Sequence, residues 1–173
     1  SLIRALSHAT PKVADYPFTT LRPYLGIVEI GPCDQFVMAD IPGLIKGASQ
    51  GTGLGLRFLK HISRCKLLLH CVDIANIEKD PIECIQEVVD ELVQYGHECD
   101  RKPQIIVLTK ADCLLESDRQ AVMQDMKEKV VKVLGLEYED LHIVMVSSQQ
   151  KTGLELLKKM ICKLLDMDGW SNV

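Results

Sequence analysis

The feature that most constrains this chain is the alternation of short apolar runs with helical patterns. Lys66–Asp73, Gln104–Leu108 and His142–Val146 are near-continuous apolar stretches with the length of buried strands. Pro81–Tyr95, Ser117–Leu134 and Thr152–Leu165 follow them in turn, with apolar residues at helical spacing. In the first of these, Ile82, Ile85, Val88, Val89 and Leu92 share one face, Pro81 sits in the opening turn and Gly96 ends the pattern. Ser117 or Asp118 is expected to cap the second, with Gly135 as its stop. Strands alternating with helices predict an α/β fold: a doubly wound, mostly parallel sheet with helices on both faces. Because Lys66–Asp73 does not alternate, it is expected at the centre of that sheet.

The N-terminal part reads differently. Ser1–Ser7 has the pattern of a helix tail, broken at Thr10-Pro11, and the segment up to Pro23 is rich in turn formers. Leu25–Ile30 and Gln35–Asp40 are strand-like and flank Gly31-Pro32-Cys33-Asp34, a hairpin signal, so Leu25–Ile30 is expected as an antiparallel edge strand. Ile41–Gly55 is a loop with five Gly in fifteen residues, followed by a short helix over Leu56–Arg64. A chain of 173 residues with no linker or repeat is expected to form one domain, residues 1–173.

Composition removes several function classes. The net charge of −4 argues against a polybasic nucleic-acid surface over the whole chain, and so against a DNA-binding role. No apolar run approaches the roughly 18 residues that a membrane span needs. Seven Cys occur without a CxxC pair, which points to free thiols in a reducing compartment, most of them small buried hydrophobes.

In sheets of this type ligands sit outside the carboxyl ends of the strands. Three such ends carry a recognisable set. Asp40-Ile41-Pro42-Gly43 follows the second N-terminal strand, Thr109-Lys110-Ala111-Asp112 follows Gln104–Leu108, and Ser147-Ser148-Gln149 follows the last strand. Asp40 is suited to hold a water in the octahedral shell of Mg²⁺, and Gly43 lets the backbone N–H approach a γ-phosphate. An Asp112 carboxylate accepts two parallel hydrogen bonds from guanine, which adenine cannot supply, while the Lys110 stem packs on the purine. Ser147-Ser148-Gln149, with Gly153 opening the next helix, would aim backbone N–H groups at guanine O6. Each motif alone is also compatible with a plain turn, a solvated loop pair or a helix-capping Ser cluster. Their order and their shared placement at strand ends favour a nucleotide site. Upstream, a hydroxyl in Tyr16-Pro17-Phe18-Thr19-Thr20-Leu21 is placed to complete the Mg²⁺ shell in a loop that orders when the γ-phosphate is present.

The run Ala14–Leu21, then Leu25-Gly26, Ala39–Ile45, Gly47-Ala48, Gly53-Leu54-Gly55 and Arg57–Ile62 resembles the Obg family of translational GTPases. The resemblance covers nearly the whole chain. It implies a P-loop NTPase-like G domain that binds GTP and GDP with Mg²⁺ and a monovalent cation such as K⁺. By that resemblance Thr20 coordinates Mg²⁺ together with Asp40, and Phe18, Thr19, Thr20, Leu21 and Arg22 line the nucleotide. Asp40, Ile41, Pro42 and Gly43 form the second switch, with Thr20 and Gly43 as the residues of catalysis. Thr109, Lys110, Ala111 and Asp112 are the guanine-specificity motif, and Ser147, Ser148 and Gln149 the last base-contacting loop. The family likeness further implies slow hydrolysis, association with the large ribosomal subunit during its assembly, and a cytoplasmic or organelle-interior location.

The sequence departs from the family pattern in two places, Thr109 and the missing phosphate loop, and at Leu44 it shares with that family a difference from many other GTPases. Thr109 stands where the specificity motif opens with Asn, so one hydroxyl replaces an amide that ties neighbouring loops together. Leu44 follows Gly43 where many GTPases carry a water-orienting Gln, so hydrolysis would rely on backbone, metal and a monovalent cation. No GxxxxGK[ST] occurs, and Ser1-Leu2-Ile3 looks like the continuation of such a loop, so the chain is expected to be an N-terminally truncated G domain. Two readings stay open from this: a slowly hydrolysing GTP switch, or a non-hydrolysing fragment that serves as a partner-binding module. A Rossmann-type enzyme is disfavoured because no GxGxxG follows a strand.

Overall fold

The computed structural model describes residues 2–7, 12–13, 24–30, 34–40, 62–96, 99 and 101–165. Their elements run α1 (Leu2–Leu6), β1 (Lys12–Val13), β2 (Tyr24–Glu29), β3 (Gln35–Asp40), β4 (Leu68–Asp73), α2 (Pro81–Tyr95), β5 (Gln104–Thr109), α3 (Glu116–Leu134), β6 (Ile143–Met145) and α4 (Leu154–Leu164). They form two three-stranded sheets. One is antiparallel in the order β1-β2-β3, and the other is parallel in the order β4-β5-β6.

β5 is the centre of the parallel sheet. Ile105, Ile106, Val107 and Leu108 are all buried, and alternate residues feed two different cores. Ile105 and Val107 pack with Leu6, Val28, Val144, Val146, Leu157 and Ile161, the side served by α1 and α4. Ile106 and Leu108 pack with Val72, Ile85, Met126, Val130 and Ile143, the side served by α2 and α3. Each fully buried Ile, Leu or Val contributes about 1.5–3 kcal/mol of transfer free energy. A strand apolar on both faces is what a parallel sheet covered by helices demands.

The helix signals hold locally. Asp80 caps α2 by accepting from the Ile82 N–H at 2.8 Å, with Pro81 as the first residue. Gly96 (φ 68°) closes α2, and Gly135 (φ 62°) ends α3 by donating to the Val131 carbonyl. Three expectations need correction. The cap of α3 is Leu115, with no side-chain bond; Ser117 lies within the first turn and bonds the Asp118 carboxylate instead. β2 is the middle strand of its sheet, because Lys12–Val13, read as irregular loop, pairs along its other edge. β4 is not central: among the described residues it is laddered only to β5, and β5 takes the middle position. The expected helix over Leu56–Arg64 lies mostly outside the described residues, which begin there with a helical turn at residues 62–64.

All six described cysteines are free thiols, but only Cys99 and Cys162 are buried, so the expectation of mostly buried cysteines holds for two of them. Among the described residues no helix is long and apolar enough to cross a membrane.

Gly153 is held by geometry. Its φ is +73°, and a Cβ there would meet the Met145 carbonyl oxygen at 2.2 Å. Neither the backbone conformation nor the space admits another residue. Gly153→Ala is expected to cost about 2–4 kcal/mol, the sum of a left-handed penalty and overpacking against backbone. Urea denaturation reads this directly, and a loss below about 0.5 kcal/mol, the range of an ordinary surface change, would contradict it.

His70 gives the fold an acid-sensitive point. Burial pushes its pKa from 6.5 down to about 4, and its Nδ1 is a buried atom without a hydrogen-bond partner. The unfolded chain therefore binds the proton more readily than the folded one. Stability tied to the neutral ring is complete above pH 6.5 and is lost as pH falls toward about 4. We expect about 1–3 kcal/mol of stability to disappear across that window. His70→Leu should flatten this part of the stability–pH curve; an unaltered slope would remove His70 as its source.

Candidate functional site at the strand ends

The carboxyl ends of β3 and β5, residues 68–71 of β4 and the turn after β6 border one cavity of about 1370 Å³. That is ample against the roughly 300–1,000 Å³ of ordinary ligand sites. Asp40, Thr109, Lys110, Asp112, Ser148 and Gln149 all line it, so Asp40 and residues of the two downstream strand-end motifs, 69 residues or more away in sequence, share one space. Asp40 is the last residue of β3 and is exposed. Its carboxylate lies near the Cys71 thiol.

β5 and the bend after it build the wall of the pocket. Thr109, the last residue of β5, donates its hydroxyl to the Val72 carbonyl of β4 at 3.0 Å. Its own carbonyl accepts from the Ile74 N–H at 3.4 Å. The one hydroxyl at this position thus ties two strand ends together. Lys110 then takes a left-handed conformation (φ 63°), uncommon for a residue with a side chain. A short 3₁₀ turn over Ala111–Cys113 follows, and the Ala111 N–H reaches across to the Val146 carbonyl at 3.1 Å.

The two charged residues of this turn are each held. Lys110 Nζ lies 2.6 Å from the Asp73 carboxylate, and the Asp73 hydrogen bond and charge raise the lysine pKa. Asp112 accepts from the Ser147 hydroxyl, which, ahead of the Asp112 backbone N–H, holds its carboxyl below the usual carboxylate value. Ser147 is itself fully buried; its oxygen also accepts from the Gln150 N–H at 3.0 Å, and its N–H bonds the Thr152 carbonyl. Residues 147–152 close into a compact turn, with Lys151 (φ 57°) and Gly153 left-handed at its exit. A fixed, ionised carboxylate beside this turn can accept paired donors from a planar ring.

Phe18, Thr19, Thr20, Leu21 and Arg22, and Ile41, Pro42 and Gly43, fall outside the described residues. Among the described residues no group of three or more His, Cys, Asp or Glu forms a ready metal site. A Mg²⁺ ion bound mainly through phosphates and waters needs only one or two protein oxygens, and the exposed Asp40 carboxylate fits that demand. Asp73 is the residue that motif reading passed over. Its signal was modest: an acidic residue ending an apolar strand, in register with Thr109.

Comparison with known proteins gives the family and the fold. Residues 1–110 match the family model described as 50S ribosome-binding GTPase. GTPase Obg of Magnetococcus marinus is 48% identical over 158 residues, which are 91% of this chain and 39% of that protein. The chain therefore spans about two-fifths of the length of this relative. The G domain of Thermotoga maritima FeoB superposes with a TM-score of 0.63 at 20% identity, covering 95% of this chain and 89% of that one. Aquifex aeolicus Era superposes with a TM-score of 0.58 at 18% identity, covering 94% of this chain and 51% of that one. These two likenesses establish the fold, that of P-loop GTPase G domains. By the family match and the sequence identity together, this chain belongs to the 50S ribosome-binding GTPases, as a G domain of the Obg family.

Proposed function

We propose that residues 1–173 act as one G domain of a GTP-binding switch that hydrolyses GTP slowly with Mg²⁺. The observation that carries the reading is the pairing of Asp112 with the buried Ser147 hydroxyl beside an anchored Lys110. Guanine presents an N1–H and an exocyclic amine side by side, and a carboxylate fixed by a neighbour accepts both. Adenine lacks that pair and would leave the carboxylate unmatched. Ser148 and Gln149 bring further backbone groups to the same rim, while Ala111 is committed to the turn through its N–H on the Val146 carbonyl. Because the pocket is held by strand ends rather than by free loop, little ordering is needed when the base arrives.

Asp40, with Thr20 from the first switch, would hold Mg²⁺, which supplies charge neutralisation on the β- and γ-phosphates. The protein's own part is positioning. Gly43 offers an N–H to the γ-phosphate, and Phe18, Thr19, Leu21 and Arg22 flank the nucleotide, so loss of that phosphate releases both switch segments. Leu44 cannot orient a water, which favours slow turnover and a supporting monovalent cation such as K⁺. The description of the matching family supports action on the large ribosomal subunit, and the resemblance to the Obg family makes assembly of that subunit the proposed setting. The free thiols among the described residues support a reducing place of action, the cytoplasm or an organelle interior.

Two outcomes test the reading. In the full-length gene product, Asp112→Asn should shift preference from guanine to xanthine nucleotides, because Asn offers the donor and acceptor that xanthine matches. Competition binding with GDP and XDP measures this, and an unchanged preference removes Asp112 from base recognition. The 173 residues alone contain no GxxxxGK[ST] motif, the cradle that supplies the strongest phosphate contacts. Titrated by themselves, they should bind GTP weakly, and a Kd below about 1 μM would contradict the dependence on that cradle.

A further inference from the structure

Asp73, the last residue of β4, has both carboxylate oxygens engaged in different tasks. Oδ1 accepts from the Ala75 N–H at 3.0 Å, a local turn that fixes the carboxylate from its own side of the chain. Oδ2 faces Lys110 Nζ at 2.6 Å. The acceptor is therefore already in place before the lysine reaches it.

Lys110 needs such an anchor. Its left-handed backbone turns the chain as β5 ends, and 57% of its side chain is exposed. A lysine stem with four rotatable bonds sweeps a wide volume unless its head is tethered. Thr109 does not supply the tether: its hydroxyl donates to the Val72 carbonyl, while the lysine head meets Asp73. The Thr109 bond fixes the strand ends, and the lysine has a partner of its own. The β4–β5 register, which sets Asp73 opposite Thr109, brings the carboxylate to the right place.

We infer that Asp73 is a positioning residue for base recognition: it holds Lys110 at the rim of the pocket so that the lysine stem packs on the purine read by Asp112. The inference rests on the guanine reading proposed above. Asp73 touches no ligand itself. Its effect passes through Lys110, and the pair supplies restraint that one hydroxyl at position 109 does not. The division of labour is specific: Thr109 secures the backbone of the turn, and Asp73 secures its cation.

The test is a double-mutant cycle on GDP affinity in the full-length gene product, using Asp73→Asn, Lys110→Gln and the two combined. Asn at this position keeps the acceptor for the Ala75 N–H and removes the charge, so the local turn survives. Each single change is expected to weaken GDP binding about three- to fivefold, the size of a partly exposed ion pair. The combined change should weaken it no further than Lys110→Gln alone, and the effect of Asp73→Asn should shrink in high salt. A role confined to joining β4 and β5 would lower the melting temperature while leaving GDP affinity intact, and that result overturns the inference. Fully additive losses overturn it as well, because Asp73 would then act without Lys110. Asp112→Asn run alongside separates the two levels. If it redirects preference to XDP while Asp73→Asn is inert, only the positioning role fails. If it leaves preference unchanged, the guanine reading fails and takes this inference with it.

Discussion

A strand buried on both faces leaves its backbone no water to turn to, and β5 is that strand here. Ile105 to Leu108 are almost completely inaccessible, so their N–H and C=O groups must be satisfied by neighbouring strands on both sides. β4 and β6 meet that demand in parallel. The same pairing brings the ends of all three strands to one edge of the sheet. Lys110, Asp112, Ser148 and Gln149 follow from that edge and line the cavity, which Asp40 of the other sheet joins.

Polar groups at the edge are then satisfied in a chain. Thr109 ties β5 to β4, Ala111 ties the following turn to the end of β6, and Ser147 ties the next turn to Asp112. A buried hydroxyl left alone costs about 1–3 kcal/mol, so Ser147 is driven to use both its donor and its acceptor capacity. That requirement orients Asp112 and closes residues 147–152 on themselves. Gly153 makes the exit possible, because it alone tolerates the left-handed turn hard against Met145. This wall of the cavity is thus a consequence of core packing as much as of local sequence.

Much of this was legible in advance. The helices Pro81–Tyr95 and Ser117–Leu134 announced themselves through periodicity, Pro81, Gly96 and Gly135, because these signals act within a few residues. The motifs at Thr109–Asp112 and Ser147–Gln149 could be placed at strand ends, and the family could be named from Asp15–Ile62. Other readings failed for physical reasons. Lys12–Val13 is too short to show a pattern, and only its pairing with β2 makes it a strand. β4 looked central because it is apolar, yet strand order is a property of neighbours that apolarity does not encode. The cap of α3 went to Leu115 because Ser117 is drawn to the adjacent Asp118.

The sequence by itself therefore determined the α/β class, the main helices, the family and the motifs that stand at the strand ends. These follow from local propensity and from motifs whose chemistry is carried by a few consecutive residues. Tertiary structure alone decided that β5 lies at the centre, that Asp40 shares a cavity with Lys110 and Asp112, and that Asp73 holds the lysine. Asp73 and Lys110 are separated by a strand, a helix and two loops, and no local rule links them. Only the parallel register of β4 on β5 brings the two charges within reach.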